Sequence, residues 1–560
     1  MNKTCLNCSS AFEVMNEDIA LLKKVSPVIA GTKYLIPEPK LCPSCRMQRR
    51  FSFRNERNIY HRPCSETKKD IISIYSPDKN LNVINSEYWW SDNWDPCDYG
   101  QEIDFSRSIF DQIKELLHRV PLLSNMVFNC TNSEFNSFCV DSKNIYMCTR
   151  IGDSEDINYS FLTAFCKDCT DCYGIFHCEF CYECIDCSKC YNSSFCQLCK
   201  SSTDCLFCYD CIGCKNCFGC IGLRNVDYYF FNEKCTKEEY KEKTEAYRNG
   251  SMRNIMKWKD EMEKFMLKHP KRAVVHFNTE NSSGDYINNT KDVKNCFDIE
   301  DLESSAYSCG VEYSKDIYDS DFIYYGENCY ENISNSKSTN IAFSFVAIGG
   351  VHDLIYSMLC FNNTHDCFGC ISLKQKSYCI LNKQYTKEEY EELVPKIIEK
   401  MKEDGEWGEF FPSTMSSFAY NEAVAQEYFP LSKEEVKAKG WMWKEKTDEI
   451  PNVNKIIPAN NLPDSIKEIP DDILNWAIVC PETKRPFKIV SQELGFYKTH
   501  GIPIPHFHPD ERHKRRMTLR NPRKLWTRSC NKCDKEIQTS YAPERPETVY
   551  CETCYLKEVY

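Results

Sequence analysis

Small apolar residues recur at every third position through the middle of the chain. This period fits neither the 3.6-residue turn of a helix nor the two-residue alternation of a strand. Between Cys166 and Cys220 the recurring residue is cysteine. A longer repeat of seven triplets lies over this period, and it relates Cys166, Cys187 and Cys208. The residues that interrupt the triplet series are Ile175, Ser193 and Ser202.

Short repeats without a helical period, rich in Asn, Asp, Ser and aromatic residues, predict stacked coils of a β-solenoid. In this interpretation one cysteine lies over another at every seventh triplet and acts as a small hydrophobic side chain in the interior. A period of three also requires very short strands that are broken by frequent corners, because the side chains of a strand alternate with a period of two.

A second region repeats the end of the first. Residues 366–370 read Asp-Cys-Phe-Gly-Cys and match residues 216–220, and a Thr-Lys-Glu-Glu-Tyr sequence follows each. In the second region the counterparts of Cys205, Cys208 and Cys211 are Ile355, Met358 and Phe361. The sequence therefore predicts a tandem duplication, with solenoid-like halves at 122–235 and 276–385.

Helices are predicted beside these halves. Apolar residues at helical spacing predict one amphipathic helix within 104–121. Each Thr-Lys-Glu-Glu sequence is a capping box, since the Thr hydroxyl and the Glu carboxylate can each bond a helix-terminal amide. Helical connectors are accordingly expected at 236–275 and 386–475.

Both ends of the chain carry paired C-x2-C sequences. Four thiolates suit a closed tetrahedral zinc site, so two intact zinc ribbons are predicted, at 1–63 and 530–560. Two Zn²⁺ ions are expected, and their predicted ligands are Cys5, Cys8, Cys42, Cys45, Cys530, Cys533, Cys551 and Cys554.

Each intact ribbon has a degenerate neighbour, at 64–103 and at 476–529. The first keeps Cys64 but has Thr67, Asn85 and Tyr88 at the other ligand positions. The second has Cys480, Thr483, His508 and Glu511. A third metal at His508 and Glu511 is the less favoured interpretation, because each knuckle lacks a thiolate.

The N-terminal arrangement, which ends in Cys42-Pro-Ser-Cys45-Arg46, resembles the family called the probable zinc-ribbon domain, a small treble-clef-like module of unknown function. The resemblance covers only the segment of these two knuckles and implies a zinc fold without an activity. The plan of the whole chain resembles uncharacterised multi-zinc-ribbon, Cys-rich repeat proteins of small-genome uncultured bacteria. The expected fold class is multidomain α+β, with zinc ribbons flanking the duplicated Cys/Asn-rich solenoid-like region and its amphipathic helices.

Basic residues gather near both ends of the chain. Arginine forks suit phosphate oxygens and aromatic faces suit bases, so these strips are predicted to contact RNA, with the ribosome as one candidate. Arginines that bond loop carbonyls within a zinc module are the structural alternative. The predicted contact residues are Arg46, Arg49, Arg50, Arg54, Arg57, Arg512, Arg515, Arg516, Arg520 and Arg523.

Length and composition indicate the cellular compartment and limit the classes of binding partner. The chain has 560 residues, 38 cysteines and a formal net charge of −12, which argues against wholesale coating of nucleic acid. The length and the absence of an apolar leader favour reduced thiols in a cytoplasm. No apolar run is long enough to cross a bilayer, so no membrane span is expected. The oligomeric state is left open.

Three functions are compatible with this pattern. A non-enzymatic zinc scaffold that contacts RNA is preferred, because no nucleophile with a base and no Gly-rich phosphate loop stands out. A metal-storage or iron–sulfur protein is the second, since strings of C-x2-C also hold clusters. The third is a repeat scaffold that binds a protein partner through its solenoid surface.

Overall fold

The computed structural model describes residues 1–248, 250–445 and 451–560, and these form two compact units. Unit 1 contains Met1–Asn125, Val274–Lys444 and Arg523–Leu525. Unit 2 contains Met126–Ala273, Glu445–Pro522 and Trp526–Tyr560. Each unit therefore joins one stretch of β-solenoid to segments that are distant in sequence.

Most coils of the two solenoids have a length of 12 positions, and a few in unit 1 have 11 or 13. Parallel partners such as Ser137 and Thr149 bond across 12 positions, and the same offset recurs along both stretches. The predicted stacking of cysteines at every seventh triplet is therefore wrong. Seven triplets make one coil of four triplets plus three more, and the extra three move a cysteine to another side of the coil.

The triplet is one side of a four-sided coil. In each triplet the first residue points inward, the second bridges to the next coil, and the third turns the corner in the left-handed backbone region. Asp168, Asp171 and Phe180 are three such corners, with φ of 48°, 59° and 53°. The expected short strands and frequent corners are thus present, with four triplets to each coil.

In unit 1 many strands run through the corners, and the longest have 11 residues. Their bounds are His276–Glu280, Gly284–Lys294, Cys296–Ala306, Glu312–Tyr318, Tyr324–Tyr330, Ile333–Ala342, Phe345–Ile355, Met358–Phe361, His365–Phe368, Ser377–Ile380 and Lys383–Gln384. The shorter strands of the unit are Asn2–Thr4, Ala11–Glu13, Val28–Ile29, Thr32–Lys33, Tyr60–Pro63, Asp70–Ser73, Val83–Ile84 and Leu122–Leu123.

In unit 2 the solenoid strands are short and are continued by isolated bridges. Their bounds are Val127–Phe128, Ser137–Val140, Lys143–Tyr146, Thr149–Gly152, Glu155–Asn158, Phe161–Ala164, Lys167–Thr170, Tyr173–Phe176, Lys215–Phe218, Asp227–Phe230 and Glu233–Lys234. The other strands are Lys271–Arg272, Lys455–Pro458, Trp476–Val479, Pro486–Phe487, Trp526–Ser529, Glu536–Thr539 and Val549–Tyr550.

The described residues contain twelve α-helices. They are α1 (Asn16–Val25), α2 (Pro43–Phe51), α3 (Ser86–Trp90), α4 (Ile109–Arg119), α5 (Lys237–Arg248), α6 (Met252–Met266), α7 (Lys387–Glu403), α8 (Val424–Tyr428), α9 (Lys433–Ala438), α10 (Ser491–His500), α11 (Pro509–Met517) and α12 (Glu552–Val559). None of the helices in these described ranges combines the length and apolar character needed to cross a bilayer.

The predicted helix within 104–121 corresponds to α4. Both predicted capping boxes are present, at the starts of α5 and α7, where the hydroxyls of Thr236 and Thr386 each accept a bond from a Glu amide at 3.2 Å. Residues 249 and 446–450 of the two predicted connectors lie outside the described residues.

Candidate metal centres and the arginine clamps

Two groups of four cysteines can each hold a metal ion. One is Cys5, Cys8, Cys42 and Cys45, the other is Cys530, Cys533, Cys551 and Cys554, and within each group the sulfurs all lie within 4.8 Å of one another. We call them the four-cysteine groups. In a tetrahedral thiolate site with bonds of about 2.3 Å, sulfurs are about 3.8 Å apart. The Sγ atoms of Cys8 and Cys42 are 3.7 Å apart, and those of Cys533 and Cys551 are 3.8 Å apart.

In each group, local hydrogen bonds lower the pKa of some cysteines and raise that of another, since a bond with Cys42 raises the pKa of Cys45 and a bond with Cys551 raises the pKa of Cys554. A hydrogen bond with the Cys45 thiol lowers the pKa of Cys42 to about 6, although burial opposes the shift. Burial also works to raise the pKa of Cys530, but the backbone amides of Cys551 and Lys532 outweigh it and bring that pKa to about 6. Metal ligation requires the deprotonated thiol, so these donors prepare the groups for a cation.

The same knuckle turn occurs four times. In each, the amide of the first cysteine bonds the carbonyl five residues on, and its own carbonyl accepts the amide of a left-handed residue four positions on. The four cysteines are Cys5, Cys64, Cys480 and Cys530. In each case a helix begins just after the third ligand position, which is Cys42, Asn85, His508 and Cys551 respectively.

The degenerate knuckles keep the turn but use it differently. The side chain of Asn85 accepts the amide of Tyr88 at 3.0 Å, and the His508 ring accepts the amide of Asp510 at 3.1 Å. Both residues therefore cap a helix with the atoms that a metal would need. Over the described ranges of the chain, only the two four-cysteine groups bring three or more such ligand atoms together.

The interior cysteines of the solenoid are not gathered in this way. Most donate instead to the carbonyl two residues before them, as Cys172 does to Thr170 at 3.4 Å. Ser193 and Ser202 occupy the same position and make the same bond at 3.0 Å. A hydroxyl therefore replaces the thiol at this position without changing the contact, and Ile175 fills the same position with no donor at all. All 38 cysteines are free of disulfides.

The predicted arginine strips lie mostly against solenoid carboxylates. In unit 1, Arg46 and Arg50 extend from α2, which follows the second knuckle of the metal group. The Nε atom of Arg46 is 2.6 Å from Asp319, and the Nε atom of Arg50 donates to Asp321 at 2.7 Å. Arg49 pairs with Glu331 at 3.0 Å. We call these contacts the unit 1 clamp.

Unit 2 has an equivalent cluster on α11. Arg512 and Arg516 donate to the two carboxylate oxygens of Asp171 at 2.5 and 2.6 Å. Arg512 also contacts Glu493 at 3.3 Å, and its guanidinium lies 4.5 Å from the ring centre of Tyr159. We call these contacts the unit 2 clamp. Asp171 and Asp319 are both fully buried left-handed corner residues, so the clamps use the same kind of site on the coil.

Burial separates the ten predicted contact arginines. Arg46, Arg50, Arg54, Arg512, Arg516 and Arg520 are buried, and the side chains of Arg49 and Arg523 are only 12% and 7% exposed. Arg54 and Arg520 pair with Glu56 and Asp186, and Arg523 with Asp298. Arg57 is half-buried, and Arg515 is 44% exposed. Buried, paired guanidiniums are unavailable to phosphates, so RNA contact remains a prediction that this geometry does not favour.

The acidic partners were not predicted. Asp171 is far from Arg512 in sequence, and Asp321 is equally remote from Arg50, so no local pattern links them. For Asp171 and Asp319 the available sequence signal is an acidic residue at a corner position of the triplet, whereas Asp321 is at a bridging position.

The comparisons with known proteins add no family. No family model matches the chain, and no curated protein matches it. Among solved structures, a "putative acetyltransferase" from Desulfovibrio desulfuricans G20 aligns over 44% of this chain and 65% of its own, with 7% identity and a TM-score of 0.10. A TM-score this low supports neither a shared fold nor a shared activity. The four-cysteine groups remain consistent with zinc-ribbon-like sites on their own geometry.

Proposed function

We propose that this protein is a non-enzymatic repeat scaffold that binds a protein partner through the solenoid of unit 1, with the N-terminal zinc ribbon clamped to its coils. The observation that carries the proposal is an open groove on that solenoid. It has a volume of about 560 Å³ and crosses several coils between a column of corner residues and a column of bridging residues.

Exposed tyrosines form one wall of the groove. Tyr313 and Tyr325 are 41% and 46% exposed, and their rings stack with centres 5.1 Å apart. Tyr324, next to them, is 41% exposed. Rigid aromatic side chains bury a large area at little cost in conformational entropy, and for this reason they are enriched at protein interfaces.

Alternating charges form the other wall. Lys291, Glu303, Lys315 and Glu327 occupy successive coils, and the amine of Lys315 lies 3.3 Å from Glu303. Together with Asp301, these residues give the groove three carboxylates and two lysines. This balance opposes a polyanion and suits a polypeptide of mixed charge, so a protein partner is favoured over RNA.

The N-terminal four-cysteine group supports the scaffold by fixing α2, the helix that carries the unit 1 clamp. Zinc is the metal that four thiolates in a closed tetrahedral site favour, and it provides no redox chemistry. We expect two Zn²⁺ per chain. Elemental analysis of protein purified without air should give two zinc and no iron, and Cys42→Ser and Cys551→Ser should each remove one zinc. Six or more metals per chain would favour the storage alternative.

A photo-crosslinking amino acid at position 325 tests the partner surface. We expect crosslinks to a discrete protein in RNase-treated extract, and Tyr313→Ala should abolish them. Tyr191 is the matched control, because it is 45% exposed on the other solenoid. Equal crosslinking from position 191, or crosslinks to RNA in untreated extract, would contradict the proposed surface.

A further inference from the structure

Two histidines lie side by side on successive coils of unit 1. His352 and His365 are register partners of neighbouring strands, and their rings are parallel within 7° with centres 4.7 Å apart. Their side chains are 42% and 32% exposed, so water and ions can reach them. We call them the His pair.

Each ring is held by the carboxylate of the next residue. The Nδ1 atom of His352 lies 2.7 Å from Asp353, and that of His365 lies 2.8 Å from Asp366. Asp353 is itself fixed, because its other oxygen accepts a bond from Asn340 at 3.0 Å. A carboxylate on Nδ1 keeps the proton there and leaves the lone pair on Nε2.

We propose that the His pair binds one divalent transition-metal ion of the Ni²⁺, Cu²⁺ or Zn²⁺ class, separately from the four-cysteine groups. Both Nδ1 atoms face the residue that follows, so the two Nε2 atoms occupy equivalent places on adjacent coils. Imidazole nitrogen suits these borderline ions. A carboxylate that orients a metal-binding histidine also raises its basicity as a ligand.

The coordination would be open. Two nitrogens that share an ion at about 2.0–2.1 Å lie about 3.3 Å apart in a tetrahedral arrangement, so the rings must tilt toward each other from their stacked positions. Partly exposed side chains have room for that rotation. Water would complete the coordination, which predicts a labile ion that exchanges with solvent, unlike the ions of the closed thiolate groups.

The test is titration of the full chain with Ni²⁺ after both four-cysteine groups have been filled with zinc and the labile zinc has been removed by dialysis. Calorimetry should show one additional Ni²⁺ in the wild type, which His352→Asn and His365→Asn each remove. Asp353→Asn should weaken binding by about 10-fold to 100-fold, because the ring loses its orienting carboxylate. An unchanged urea midpoint in each variant establishes that the fold is intact.

His61→Asn is the matched control. The Nδ1 atom of His61 also lies 2.7 Å from a carboxylate, that of Asp70, and its side chain is 64% exposed. This variant should keep the additional Ni²⁺. X-ray absorption should find imidazole nitrogen around the nickel. Equal Ni²⁺ uptake by the wild type and the His352→Asn, His365→Asn double variant, or sulfur ligation, would overturn the proposal.

Discussion

Between Cys166 and Cys220 the solenoid of unit 2 is filled almost entirely by cysteine, whereas that of unit 1 mixes isoleucine, valine, leucine and cysteine at its inward positions. Buried serines such as Ser308 and Ser320 fill further inward positions in unit 1 and bond the carbonyl two residues before them. The same four-sided coil thus forms around two different interiors.

The interior volume is filled differently in the two solenoids. Between Cys166 and Cys220, side chains of one medium size repeat. In unit 1, large residues are compensated by small ones, and Gly326 is an example. A Cβ on Gly326 would overlap the Cγ2 atom of Ile323, so the glycine leaves the space that the isoleucine fills. Total interior volume therefore constrains the coil more than the identity of any one residue.

The two clamps are more alike than the two interiors, but their charges are balanced differently. Removing an arginine from a clamp is therefore expected to cause the largest loss of stability. Arg50 faces Asp319, Asp321 and Glu331, all fully buried. Removing one partner of a buried ion pair costs about 3–5 kcal/mol, because the remaining charge is uncompensated. We expect Arg50→Met to lower the free energy of unfolding by that amount in urea denaturation.

Arg516→Met in unit 2 should cost less, because Arg512 still bonds Asp171. Adding Asp321→Leu to Arg50→Met should recover part of the loss, since a carboxylate left without its arginine is then removed. An Arg50→Met protein as stable as the wild type would show that solvent reaches these carboxylates.

Replacing Lys271, which lies in unit 2, is expected to cause the next largest change in stability. Its amine is buried, has no hydrogen-bond acceptor among the described residues, and lies 3.6 Å from the ring centre of Tyr209. Burial lowers its pKa to about 7 from an ordinary value of 10.5. The unfolded chain therefore binds more protons than the folded one between pH 7 and pH 10.5, and over this range the lysine costs less stability as pH rises.

Lys271→Met should accordingly stabilise the protein most at pH 7 and below, by about 5 kcal/mol at most, since a tenfold change in an acid constant corresponds to about 1.4 kcal/mol. The advantage should shrink toward pH 10. Urea midpoints of both proteins between pH 6 and pH 10 measure it, and thiol ionisation is common to both. A difference that is constant with pH would contradict a lowered pKa at this residue.

Gly326→Ala tests the volume balance directly. The added methyl group should cost about 1–3 kcal/mol, the usual effect of overpacking a core. Ile323→Leu in the same chain should restore much of that loss, because leucine lacks the Cγ2 methyl group that the added Cβ would overlap and has the same volume. Gly152→Ala is the control in unit 2, where the nearest atom to an added Cβ is 3.8 Å away. Equal costs at both glycines would argue against compensation.

These effects also show what the sequence could predict. The four-cysteine groups and the capping boxes were accessible because C-x2-C and Thr-x-x-Glu act over a few residues. Coil length was not, because a triplet period is compatible with any number of triplets, and only contacts between coils select four. The His pair was hidden further, since its members pair across 13 positions rather than the 12 of most coils.

The smallest expected change in stability tests whether the interior thiols only pack the core or bind a metal. Cys181 and Cys329 are both fully buried, and each sulfur is 3.6 Å from the carbonyl two residues before it. Serine keeps that bond and loses a little apolar volume, so Cys181→Ser and Cys329→Ser should each cost about 1 kcal/mol. The two costs should be alike although one cysteine has cysteines around it and the other isoleucines, and the metal content of both variants should match the wild type. If Cys181→Ser alone released metal or lost several kcal/mol, the thiols of unit 2 would be bound to an ion, and the likeness of the two coils would be limited to their backbones.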